Sequence, residues 1–215
     1  MRQDHVTFPS GELSLEGVCH LPEVGGQDPL PAVVVCHPHP LYGGSMDNSV
    51  VIAVCRALCD KGIVALRFNF RGVGSSQGKL EGVGMAEDVS SALSFVASMK
   101  EVDAERLGVC GYSAGAAAAF SRTPLDDRVK AIAAISPPLS MARLEGLSAY
   151  LGPKMVISGE LDNFTSQQDL ERFIETLNEP KECHVIPGVD HFWWGYESEL
   201  GGDVSSFFAK ALIES

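Results

Sequence analysis

The chain has 215 residues, with 16 Lys and Arg against 28 Asp and Glu, so its formal net charge is −12. That balance excludes a nucleic-acid binder, which needs a clustered cationic surface to meet phosphates, and a composition 45% hydrophobic and 20% charged excludes a disordered chain. No apolar run approaches the roughly 20 residues of a membrane-spanning helix, so no membrane partner is expected.

Met1 to Gly17 alternates polar and apolar residues and carries Asp4 and Glu12, without the apolar stretch of a secretory signal. A cytoplasmic protein of one domain, residues 1–215, is therefore expected. The six cysteines (Cys19, Cys36, Cys55, Cys59, Cys110, Cys183) include no CxxC pair and are expected to be reduced and mostly buried.

Short β-branched runs alternate with longer helical patterns along the chain. Val6 to Phe8 and Leu13 to Cys19 predict two opening strands turned at Pro9-Ser10-Gly11. After a Gly- and Pro-rich loop over Pro22 to Pro31, Ala32 to Cys36 is apolar on both faces, as a strand must be when its sheet is covered on both sides. A helix follows over Ser49 to Lys61, with Val50, Val54, Ala57 and Leu58 on one face and Gly62 as its stop. Strand Val64 to Phe70, a Gly-rich loop, a helix from about Gly84 to Met99 and strand Leu107 to Cys110 come next, and the last leads into an Ala-rich helix near Ser113. Strands Ala131 to Ile135 and Lys154 to Ser158, a helix Gln167 to Asn178, strand Cys183 to Ile186 and a terminal helix with Val204, Phe207, Phe208 and Leu212 facing inward complete the order. Such repetition predicts an α/β fold, a mostly parallel sheet with helices on both faces and ligands at the carboxyl ends of its strands.

One such end carries Gly111-Tyr112-Ser113-Ala114-Gly115. The bare pattern GxSxG arises by chance in roughly one such chain in five. Its position between an apolar strand and an Ala-rich helix is what makes it specific: a sharp turn there lifts the serine hydroxyl to a helix N-terminus, where developing negative charge is favoured. A serine needs a base and an orienting acid. Asp162 follows strand Lys154 to Ser158 and His191 follows strand Cys183 to Ile186, which places both just past carboxyl strand ends in the order Ser, Asp, His. Glu160 is a weaker candidate for the acid, and Asp190, adjoining His191, reads as a turn former.

Acyl transfer also needs two N–H donors aimed at an oxyanion. The Ala114 amide is one. In His37-Pro38-His39-Pro40-Leu41-Tyr42-Gly43-Gly44 the prolines lack an N–H, which leaves His39 as the preferred second donor, ahead of Leu41 and Tyr42. Metal binding by His37 and His39 is the alternative, and it lacks a third ligand cluster nearby. The acyl pocket is expected from Leu41, Tyr42 and Tyr112, with Trp193 and Trp194 as further candidates for which packing of the final helix against the sheet is the preferred reading. Gly72 to Leu80 misses both phosphate-loop patterns, and Arg71 is expected to brace the nucleophile loop instead.

These residues, with Phe68-Asn69-Phe70-Arg71-Gly72-Val73-Gly74 and Gly43-Gly44-Ser45-Met46-Asp47-Asn48, resemble those of the α/β-hydrolases, above all the small bacterial dienelactone-hydrolase-like carboxylesterases without a large cap. The resemblance covers most of the chain. It implies a nucleophile at Ser113, an acid at Asp162, a base at His191, oxyanion donors near His39 and at Ala114, and no cofactor. A serine where true dienelactone hydrolases carry cysteine departs from that pattern.

Between the strands ending at Ile135 and beginning at Lys154 lie 18 residues, enough for one short helix over about Leu139 to Tyr150 and not for a cap. The expected activity is hydrolysis of carboxylic esters with small or medium acyl groups. A thioesterase and a non-catalytic ligand-binding module are the alternatives, and a homodimer is compatible with the sequence.

Overall fold

The computed structural model describes residues 1–23, 28–80, 82–121 and 125–214, so the Gly- and Pro-rich loop expected over 22–31 lies partly outside the described residues. The chain opens with β1 (Arg2–Ser10) and β2 (Leu13–Leu21), an antiparallel hairpin running from the pair Arg2 and Leu21 to the pair Ser10 and Leu13. The turn is therefore Gly11-Glu12, shifted toward the C-terminus from the expected Pro9-Ser10-Gly11. Gly11, at φ 58°, supplies the left-handed residue that a two-residue hairpin needs, and Pro9 is tolerated because β1 is an edge strand.

Six more strands follow: β3 (Leu30–Cys36), β4 (Val64–Phe68), β5 (Val102–Tyr112), β6 (Val129–Ile135), β7 (Lys154–Gly159) and β8 (Lys181–Ile186). Their order in the sheet is β1-β2-β4-β3-β5-β6-β7-β8. β2 pairs antiparallel with β4, and every pairing from β4 to β8 is parallel, as the strand-helix alternation requires. β4 stops at Phe68, earlier than expected, although the Asn69 amide still donates to the Glu16 carbonyl in the register of β2.

Alternate residues of the central strands feed two cores. Val33, Val35, Cys110, Ala133 and Ile135 pack under α1 (Ser49–Asp60) and α6 (Glu197–Leu212). Val34, Cys36, Val109, Ile132 and Ala134 face the opposite layer, built from α2 (Gly82–Ala97), α3 (Ala114–Phe120), α4 (Glu145–Ala149) and α5 (Gln167–Glu175). Each buried Val or Ile contributes about 1.5–3 kcal/mol from removal of its surface from water. Five of the six cysteines are buried in the same way, and all six are free thiols.

Between β6 and β7 the helix expected over Leu139 to Tyr150 shrinks to the five residues of α4. The Leu139 amide donates to Thr165 Oγ1 and the Ser140 hydroxyl to the Phe164 carbonyl, which ties the start of this interval to the loop after β7 instead of letting it coil. Nothing from this interval forms a helical cap over the ends of β3, β5, β7 and β8. Among the described residues no helix is long and apolar enough to cross a membrane.

Candidate active site

β5 runs into α3 with no intervening loop, and Ser113 is the corner. Its backbone sits at φ 53° and ψ −116°, a conformation L-residues rarely adopt. The corner exists because its flanks are glycines: a Cβ on Gly115 would lie 2.3 Å from the Cys36 carbonyl oxygen, and one on Gly111 2.5 Å from the Ala116 Cα. The strain is held by the Ser113 amide, which donates to the Ile135 carbonyl at 2.9 Å.

The corner points the Ser113 hydroxyl at His191. Ser113 Oγ lies 2.9 Å from His191 Nε2, and His191 Nδ1 lies 2.8 Å from Asp162 Oδ2. The β5–α3 corner and the loops after β7 and β8 thus bring together three residues that are far apart in sequence, all of them buried. Glu160 faces elsewhere and accepts from the Gly188 amide, while Asp190 accepts from the Phe192 amide as a turn former does. Asp162 is the carboxylate that reaches the imidazole.

Asp162 is well supplied with donors. Its Oδ1 accepts from the amides of Phe164 at 2.8 Å and Thr165 at 3.3 Å, and Ser158 Oγ approaches Oδ2 at 3.3 Å. The Ser136 hydroxyl lies close enough to favour the charged carboxylate. Burial alone raises the pKa of this carboxyl, but the His191 hydrogen bond and charge, the Phe164 amide and Ser136 outweigh it and hold the group below its ordinary value. Ser136 in turn accepts from Trp193 Nε1 at 3.1 Å. Ser136 and Trp193 share the backbone signature of Ser113, with φ of 43° and 61°.

Tyr112, expected in the pocket, is structural, and Trp193 takes the packing role preferred for it over the pocket. Trp193 is 1% exposed and packs in the core under α1 and α6, because its positive φ turns the indole inward to Ser136. Tyr112 is 2% exposed and lies beneath His191, donating its hydroxyl to the His191 carbonyl at 2.7 Å. Burial, with the nearby carboxylates of Asp162, Asp190 and Glu197, pushes the Tyr112 pKa up, so it stays a protonated donor. Trp194 projects to solvent at 73% exposure. Leu41 and Tyr42 are exposed at the mouth of the site.

The loop after β3 passes through the 3-10 turn Pro40–Tyr42 and folds back on itself, with the Gly44 amide donating to the His39 carbonyl. Gly44 is needed there, since a Cβ would fall 1.8 Å from the Pro38 carbonyl oxygen. Among the described residues, the amides of His39 and Ala114 donate to no protein carbonyl; for Ala114 that is the ordinary state of a first helical N–H.

His37 anchors this loop. It is fully buried, its Nε2 accepts from the Phe70 amide at 3.2 Å, and its Nδ1 must then carry the proton donated to the Pro38 carbonyl at 2.6 Å. With both ring nitrogens engaged, His37 has no lone pair to give a metal, which removes the metal reading of His37 and His39. Asn69 braces the same loop by accepting from the Met46 amide at 2.8 Å. Arg71, expected near the nucleophile loop, instead pairs with Asp88 on α2, because that buried carboxylate needs a cation more than any carbonyl does.

His37 and His20 give the fold a pH dependence. Burial lowers the pKa of each from 6.5 to about 4, partly offset at His37 by the Pro38 hydrogen bond and reinforced at His20 by Arg67. Between pH 6.5 and 4 the unfolded chain binds protons that the folded one refuses. Stability is therefore complete above this window and falls through it as the pH drops, by up to a few kcal/mol for each histidine, on the order of 1.4 per pKa unit. The urea midpoint should be lower at pH 5 than at pH 7; a midpoint unchanged over that range contradicts this.

Phe164, Phe192, Ser136 and Ser158 were not expected at the site. Ser158 sits near the end of β7 beside the acid's loop, and Ser136, Phe164 and Phe192 arrive through the paths of loops, where no period marks them.

A family model described as an alpha/beta hydrolase domain matches residues 32–200, which include Ser113, Asp162 and His191. The chain is similar to an uncharacterised protein of Rickettsia prowazekii, 34% identical over 173 residues that cover 76% of this chain and 72% of that protein. It is 29% identical over 181 residues to an uncharacterised Mycobacterium tuberculosis protein, covering 75% of this chain but only 63% of that relative's length. Among solved structures it is similar to an α/β serine hydrolase without lid from Xanthomonas campestris, with TM-score 0.87 and 27% identity over 100% of this chain and 97% of that one. With the eight-stranded sheet already described, the match over residues 32–200 establishes that this chain belongs to the α/β-hydrolase family.

Proposed function

We propose that the protein is a serine hydrolase that cleaves carboxylic esters of small or medium acyl groups through an acyl-enzyme. The observation that carries this reading is the unbroken line from Ser113 Oγ to His191 to Asp162, at 2.9 and 2.8 Å, with the serine strained at a helix start. His191 Nε2 takes the Ser113 proton as Oγ attacks the ester carbonyl carbon, and Asp162 keeps the proton on Nδ1 so that Nε2 can accept. The amides of Ala114 and His39 receive the oxyanion. As the tetrahedral intermediate collapses, His191 returns the proton to the departing alcohol, leaving an acyl ester on Ser113. A water activated by the same imidazole then releases the carboxylic acid.

The short interval between β6 and β7 supports the limit on acyl size, because its five-residue α4 is too small to enclose a long chain. A fluorophosphonate probe followed by peptide mass spectrometry should place one adduct on Ser113, and a series of acyl lengths should show turnover falling beyond medium chains. An unlabelled serine in folded protein sinks the proposal.

A further inference from the structure

Three aromatic side chains from three loops meet beside Ser113 and His191. Tyr42 follows β3, Phe164 follows β7 and Phe192 follows β8. The Phe164 ring lies 4.3 Å from the His191 imidazole, centre to centre, and 5.4 Å from Tyr42. Phe192 stands 5.6 Å from His191 and 6.3 Å from Phe164, nearly perpendicular to both. In the sheet β3 and β7 are separated by β5 and β6, so the Tyr42–Phe164 contact spans the strand end that carries Ser113.

None of the three rings belongs to either packed core. Tyr42 is 54% and Phe192 36% exposed. Leaving such rings in water forgoes about 25 cal/mol for every Å² that burial would remove, so a cluster of them around a reactive serine marks a surface meant to be covered by a ligand. Rings at these distances and tilts also attract a further aromatic ring by their quadrupoles, beyond the area they bury.

Charge narrows the ligand further. Segments 37–48, 159–166 and 187–196, which carry Asp162, His191 and the His39 amide, contain Asp47, Glu160 and Asp190 but no Lys or Arg. Arg143, after β6, lines a separate groove with Leu144 and Phe173. Asp47 is already paired with Arg67, and among the described residues of these three segments no Lys or Arg stands to meet a multiply anionic substrate.

Building on the serine-hydrolase reading, we infer that the substrates are uncharged esters bearing a flat aromatic ring, held against Phe164 between Tyr42 and Phe192, and that polyanionic thioesters of the coenzyme A type are excluded. Tyr42, Phe164 and Phe192 are then specificity-determining residues that partly do the work of the missing cap.

The test compares kcat/KM for benzyl acetate and cyclohexylmethyl acetate, which share ring size and have alcohols of similar leaving ability. Wild type should prefer the benzyl ester about fivefold, and the ratio should fall toward one in Phe164→Leu and in Tyr42→Leu. A ratio between two substrates is immune to a general loss of activity in either variant. Acetyl coenzyme A should react about tenfold less well than neutral S-ethyl thioacetate, with the gap narrowing as salt is added. No benzyl preference, or one unchanged in both variants, overturns the aromatic assignment, and equal use of the two thioesters overturns the charge exclusion. In both of these cases Ser113 still takes the fluorophosphonate. Absence of that label instead removes the hydrolase reading, and this inference with it.

Discussion

Ser113→Ala is expected to lower kcat/KM for p-nitrophenyl acetate by about 100,000-fold while leaving circular dichroism and the urea midpoint within about 0.5 kcal/mol of wild type. The alanine keeps every backbone bond of the corner, including the Ser113 amide to the Ile135 carbonyl, and removes only the Oγ that His191 Nε2 accepts from. Residual turnover would come from water held near the Ala114 and His39 amides. Ser113→Gly sharpens the comparison, since glycine adopts φ 53° without the clash a Cβ suffers. That variant should be equally inactive yet about 1 kcal/mol more stable, because strain at such a site costs roughly that much. Activity near wild type in either protein removes Ser113 as the nucleophile.

Asp162→Asn is expected to reduce kcat by about 10,000-fold at neutral pH with little change in KM. The amide oxygen can still accept from Phe164 and Thr165, so the loop should hold its shape. The amide nitrogen, however, would face His191 Nδ1 and donate to it, which forces the imidazole proton onto Nε2. That tautomer cannot accept the Ser113 proton. Steady-state rates with wild-type-like denaturation would separate this effect from unfolding, and an Asn variant within about tenfold of wild type would mean that another group orients the histidine.

Much of this was legible before any coordinates, and the reason is that it rests on pattern. Ala32 to Cys36 and Ala131 to Ile135 are apolar on both faces because both faces of the sheet are covered, and no other arrangement of so short a run satisfies them. Ser113, Asp162 and His191 were legible because each lies just past a strand, where topology alone brings residues together. What pattern could not supply was the course of loops. Trp193 and Trp194 are neighbours with no period to tell them apart, yet a positive φ sends one into the core and leaves the other in water. Phe164 reaches His191 because the Asp162 carboxylate pins its amide, a constraint invisible until the acid is in place. The Arg71 partner went to the buried Asp88, because a carboxylate without solvent competes more strongly for a guanidinium than carbonyls do.

The turn that carries His191 is tied at two points: His191 Nδ1 to Asp162, and the Trp193 indole, two residues on, to Ser136. A segment tied at two points has fewer independent torsions than one tied at a single point. Rotation of the imidazole about its side-chain bonds is therefore largely quenched when the chain folds, and that entropy is lost once, on folding, and not again at each turnover. With no helical cap from the β6–β7 interval, the His191 imidazole is held in one orientation by its own turn and not by an element closing over it.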